Sequence, residues 1–106
     1  MKLTDLQPQF LKMEFEEGKR TYRHVESVDE ADGIRFLCPK CFEANKGSVG
    51  IHGVMCWKPG TDAISGPGRW PMAGTGYHDL TLTSSIQLLG GCGWHGFVIN
   101  GETSTC

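Results

Sequence analysis

Two pairs of potential metal ligands share one spacing and stand fifty residues apart. Cys38 and Cys41 lie in "FLCPKCF"; Cys92 and His95 lie in "GGCGWHGFVINGE". Two ligands separated by two residues can face one ion when the backbone between them turns tightly, and zinc takes four such thiolate or imidazole donors tetrahedrally. Pro39 and Gly93 suit those turns. The spacing predicts a Cys3His zinc site of Cys38, Cys41, Cys92 and His95. His52 and Cys56, in "IHGVMC", are alternative ligands, because residues four apart on a strand share a face. Cys106 is not expected to take part.

The energetics favour a metal clasp. In a chain of 106 residues, net stability is about 5–15 kcal/mol, and structural zinc contributes about 10–16 kcal/mol in small peptides. Closing a long loop costs little more than closing a short one, about 0.6 kcal/mol per doubling. Five cysteines are an odd number, which favours a metal site in a reducing compartment over a disulfide framework. The first twenty residues carry acidic groups where a signal peptide needs an apolar stretch, and no apolar run approaches a membrane span. The expected compartment is the cytoplasm.

Charge divides the chain unevenly. Residues 1–58 hold nine basic and nine acidic residues, whereas residues 59–106 hold only Arg69, Asp62, Asp79 and Glu102. Fifteen glycines, about twice the usual share, predict abundant turns. "FLKMEF" and "TYRHVE" alternate as half-buried strands, and "IRFLC", "SVGIHGVMCW" and "DLTLTSSIQLL" add others. "HGFVI" before Asn100-Gly101 reads as a hairpin. "SVDEADG" reads as one helical turn capped by Ser27. Residues 58–76 form a long, turn-rich loop without a phosphate-loop or dinucleotide signature. The expected fold is one mainly β domain over residues 1–106, small, antiparallel and zinc-ribbon-like. It has a long glycine-rich insertion, at most one short helix, and residues 1–26 as N-terminal strands or an extension.

"GIRFLCPKCFE", "GPGRW", "GTGYHDLTLTSSIQL" and "GGCGWHGFVINGE" together resemble a family of small, uncharacterised bacteriophage and prophage proteins. The likeness covers roughly residues 27–102. It implies a metal role for Cys38, Cys41, Cys92 and His95, and a setting in the bacterial host cell, but no activity.

Three functions follow. The first is a zinc-stabilised, non-enzymatic module acting on an unidentified host or phage protein, with Trp70, Met72 and Tyr77 of the low-charge segment as its interface. The second is a zinc enzyme of hydrolase type. It would need an open metal position and a nearby base such as Asp79 or His52; His78-Asp79 is an acid–base pair without a nucleophile. A deaminase reading fails, because His24-x-Glu26 sits in a strand pattern and Pro39 follows the first cysteine. No catalytic residue is assigned. The third is nucleic-acid binding through Lys12, Lys19, Arg20 and Arg23. These are interleaved with Glu14, Glu16 and Glu17, and the net charge is −2, so that partner is disfavoured.

Overall fold

The computed structural model describes residues 1–61 and 68–106. Its architecture is mainly β and antiparallel, with one α-helix among the described residues. Four strands form the largest sheet: β1 (Gln9–Glu16), β2 (Lys19–Val25), β3 (Gly33–Leu37) and β4 (Gly53–Trp57), in the order β2-β1-β3-β4. Glu17 and Gly18, both with positive φ, make the two-residue turn between β1 and β2, a backbone geometry suited to the sheet's right-handed twist.

Alternation sorts the residues of this sheet. Phe10, Val25, Ile34, Phe36, Val54 and Cys56 share one face and are all almost fully buried. That face is the core side of the sheet. Leu3 and Leu6, from a short 3-10 helix at Leu3–Leu6, join it, as do Leu80, Leu82, Ile86, Trp94 and Val98 from the second half of the chain. Phe36 meets Trp94 edge-on, with ring centroids 6.2 Å apart. Burying an aromatic pair in this geometry adds about 0.5–1.5 kcal/mol beyond the area it removes from water.

The second half is built from shorter pieces. β5 (Met72–Ala73) pairs with β6 (Thr81–Leu82), and β7 (Ile86–Gln87), β8 (His95–Ile99) and β9 (Glu102–Thr105) form a three-stranded sheet. The expected break near Ser84-Ser85 separates β6 from β7, with Ser84 at φ 81°. The Asn100-Gly101 hairpin is present, both residues having positive φ. Residues 1–3 are tied to this sheet: the Leu3 N–H donates to the Gly101 carbonyl at 2.9 Å, and the Thr103 N–H donates to the Met1 carbonyl at 2.7 Å.

Two expectations change. Residues 27–33 make a turn and not the helix. Its Ser27 Oγ accepts from the Glu30 N–H at 3.3 Å, but no helix propagates past Ala31. The α-helix, α1, spans Pro39–Asn45 and so runs through the first cysteine pair. Pro39 sits at the first helical position, where its missing N–H costs nothing, and Lys46 closes the helix in the left-handed conformation. The loop over residues 58–76 is partly structured, since β5 lies in it; its residues 62–67 fall outside the described residues.

Candidate metal centre

Cys38, Cys41, His52 and Cys92 place one donor atom each within 4.8 Å of one another. Three of the four belong to the continuous segment β3–α1–β4. Cys38 is the N-cap of α1 and Cys41 stands three residues on, so one helical turn brings both thiols to the same side. The Phe42 N–H donates to the Cys38 carbonyl at 2.9 Å and holds that turn. His52 immediately precedes β4. The Cys38 N–H donates to its carbonyl at 3.1 Å, extending the β3–β4 ladder by one step beyond the Leu37–Gly53 pair.

The fourth donor crosses from the other sheet. Cys92 lies at the tip between β7 and β8, where the Leu88 N–H donates to the Trp94 carbonyl and the Gly93 N–H to the Gly90 carbonyl. Gly93 has φ +67°, the left-handed region that glycine adopts without a Cβ penalty. The Lys40 ammonium donates to the Cys92 carbonyl at 2.9 Å, tying the tip to α1.

Distances and donor chemistry suit one tetrahedral ion. Cys38 Sγ lies 3.4 Å from Cys92 Sγ, and His52 Nε2 lies 3.4 Å from both Cys41 Sγ and Cys92 Sγ. A tetrahedron with the usual zinc bond lengths has edges of about 3.6 Å (sulfur–nitrogen) and 3.8 Å (sulfur–sulfur). These three edges are only slightly shorter, and all six lie within 4.8 Å. Hard oxygen-seeking cations such as calcium or magnesium do not match three sulfurs and an imidazole.

The thiols compete for one negative charge. Burial pushes Cys38 up to about 11, aided by hydrogen bonds with Cys92 and Cys41 and opposed by the Cys41 and Lys40 backbone N–H groups. Cys41 is also raised, first by its hydrogen bond with Cys92 and then by burial. Burial acts to raise Cys92 as well, but the His52 contact, the Trp94 backbone N–H and the two other thiols outweigh it and bring it down to about 6.

His95 is not in this group. It opens β8, paired with Gln87, and β8 places Gly96 and Val98 inward while His95, Phe97 and Ile99 alternate outward. Trp94, directly before it, is buried in the core. A residue three positions after Cys92 is thus carried by an extended chain to the wrong side. It lines a shallow cleft with Lys40, Glu43 and Cys106, and the Cys106 N–H donates to its carbonyl. Of the two alternative ligands, only His52 joins the site. Cys56 points into the core opposite Ile34, and burial pushes its thiol up to about 12. The signal for His52 was its place at the start of a strand that pairs with the strand ending at Cys38.

The residues expected at an interface are half-buried. Trp70, Met72 and Tyr77 pack against the core. The Trp70 indole N–H donates to the Ser85 carbonyl at 3.1 Å, and the Tyr77 hydroxyl accepts from the Phe10 N–H while its ring stacks on Phe10 at 4.3 Å. Asp79 is likewise occupied: its carboxylate accepts from the Thr75 and Gly76 N–H groups and the Thr75 hydroxyl, each at 2.9 Å. These bonds hold it below the usual carboxylate range. His24 stands in β2 opposite Leu11, not on a helix. Among the described residues no helix is long and apolar enough to cross a membrane.

Comparison of the chain with family models, with curated proteins and with solved structures found no match.

Proposed function

We propose that Cys38, Cys41, His52 and Cys92 hold one zinc ion in a structural role, and that the protein is a non-enzymatic, zinc-stabilised binding module. The observation that carries this reading is the mutual approach of four donors from two separate sheets to within 4.8 Å. Four protein ligands complete the shell that zinc prefers and leave no position for the water of a catalytic site. The bases considered for a hydrolase are already engaged, His52 in the donor set and Asp79 in its own loop. The resemblance to phage and prophage proteins supplies the setting, a bacterial host cell in which such a module works through a partner.

Zinc stoichiometry by native mass spectrometry, on protein purified without chelator, tests the reading. Wild type and His95→Ala are expected to carry one zinc per chain, and His52→Ala to carry little or none. Full zinc in His52→Ala, or its loss in His95→Ala, would overturn the assignment.

A further inference from the structure

Two sulfurs of the metal centre touch across the two sheets, and solvent reaches them unequally. Cys38 is fully buried at the junction of β3 and α1. Its N–H donates to the His52 carbonyl and its carbonyl accepts from the Phe42 N–H, so its backbone is bonded on both sides. Cys92 is half-buried at the tip between β7 and β8, among the exposed Gly90, Gly91 and Gly93. A Cβ at any of these glycines would meet no atom within 4 Å, so open space surrounds the tip.

Cys38 Sγ and Cys92 Sγ are 3.4 Å apart, and both thiols are free. A disulfide holds its sulfurs about 2.0 Å apart, so joining this pair takes a movement of about 1.4 Å. Cys38 is fixed by its backbone bonds, and the movement falls to the tip, whose glycines give the chain its widest conformational freedom. The Lys40 ammonium, on the Cys92 carbonyl at 2.9 Å, keeps the tip against α1. Cys41 is placed differently. It stands one helical turn after Cys38, so a bond between those two would leave the second sheet unfastened.

We infer that Cys92 is a site of oxidation by hydroperoxides, that Cys38 is its resolving thiol, and that their disulfide replaces the zinc clasp by a covalent one. The zinc part rests on the functional reading above; the disulfide does not. Both sulfurs enter as thiolates, the form that binds metal. A lone pair on the Cys92 sulfur attacks one peroxide oxygen; the O–O bond breaks, hydroxide leaves, and Cys92 becomes a sulfenic acid. The Cys38 sulfur then attacks the Cys92 sulfur, the S–O bond breaks, and a second hydroxide leaves. Protons from solvent turn both hydroxides into water. The sulfur pair is oxidised by two electrons, and the peroxide is reduced by the same two. Cys41 and His52 alone do not complete a tetrahedral shell, so the ion leaves. The new bond joins the same two positions, so the sheets stay fastened.

The test treats the full, zinc-loaded chain with hydrogen peroxide, beside an untreated control. A chromogenic chelator reads released zinc, and peptide mapping without reduction locates the disulfide. One zinc should be released per Cys38–Cys92 link, with the circular dichroism spectrum unchanged and zinc binding restored by dithiothreitol. Cys106→Ser should respond as wild type does, which excludes a link between chains through the exposed Cys106. Cys41→Ser loses a zinc donor but keeps the reacting pair, so it should still form the Cys38–Cys92 link. The wild-type map carries the test if that variant does not fold. A main product joining Cys41 to either partner would overturn the proposal. So would zinc retained under peroxide, release with sulfinic acids and no disulfide, or unfolding on release. A chain without zinc before treatment that still forms the link would overturn the zinc reading and support the oxidation site alone.

Discussion

The two ligand pairs have the same spacing in sequence and opposite fates in the fold. After Cys38 the chain enters a helix, and three residues of helix return Cys41 to the side it left. After Cys92 the chain enters a strand, and His95 is carried away from the thiol before it. Spacing alone sets how far apart two ligands can be; the backbone between them sets whether they converge. The vacated place is filled by His52, which reaches the site because β4 pairs with the strand that ends at Cys38.

The largest effect that would sharpen this contrast is loss of a ligand from each pair. Cys38→Ser removes a buried thiol at the junction of β3 and α1. It should abolish zinc binding and cost on the order of 5 kcal/mol or more, enough to unfold the chain at room temperature. Cys92→Ser removes the single donor from the second sheet. It should leave residual zinc binding by the β3–α1–β4 segment, with hydrogen-exchange protection lost first at the β7–β8 tip. Equal loss of protection throughout both sheets in the two variants would mean that the pairs do not differ in this way.

Next in size is Gly96→Ala. A Cβ at Gly96 would collide with the Ser104 carbonyl and the Trp94 indole, the packing that sets the parity of β8. The expected cost is about 3 kcal/mol by urea denaturation, and a neutral result would show that His95 is not held outward by this strand. Gly93→Ala meets no nearby atom but must adopt φ +67°, so a smaller cost of about 1 kcal/mol is expected. Zinc affinity should fall with it, since the same turn presents Cys92. An unchanged affinity would separate the turn from the ligand.

The smallest effect lies away from the metal, at Asp79. Its carboxylate sits below its ordinary value near 3.8 because the Thr75 and Gly76 N–H groups and the Thr75 hydroxyl bond its charged form. A depressed folded-state value means that the carboxylate stabilises the fold fully above the unfolded value. That contribution is lost as pH falls through the lower folded value. Asp79→Asn should therefore weaken stability slightly at pH 7 and flatten its acid dependence below about pH 4. A curve parallel to wild type would exclude this carboxylate as a contributor.

Much of the fold was legible because strand signals are local. The strands read in "FLKMEF" and "TYRHVE", the break near Ser84, and the Asn100-Gly101 turn all correspond to observed elements, but the alternation named the wrong face of the hairpin, since Phe10 and Val25 are buried while Phe15 and Tyr22 are exposed. The helix was misplaced for a physical reason. Ser27 and Glu30 form a good start, but the chain must turn back at Asp32, whose N–H donates to Leu11 and whose carboxylate accepts from Met13. Pro39 read as a knuckle turn also starts a helix. Three of the four donors were visible as a spaced set, whereas His52 depended on the pairing of β3 with β4. The packing of Trp70 and Tyr77 against the core was equally invisible, because it rests on contacts with Ser85 and Phe10.

The Cys38–Cys92 contact spans 54 positions, nested inside the pairing of residue 1 with residue 103, which spans 102. That nesting has a kinetic consequence. Bringing the distant ends together is the slowest search the topology demands, since rates fall as contacts become less local. A metal captured at the inner crossing shortens the chain still to be searched before the outer one closes. Metal supply would then set the speed of folding as well as the depth of the folded state.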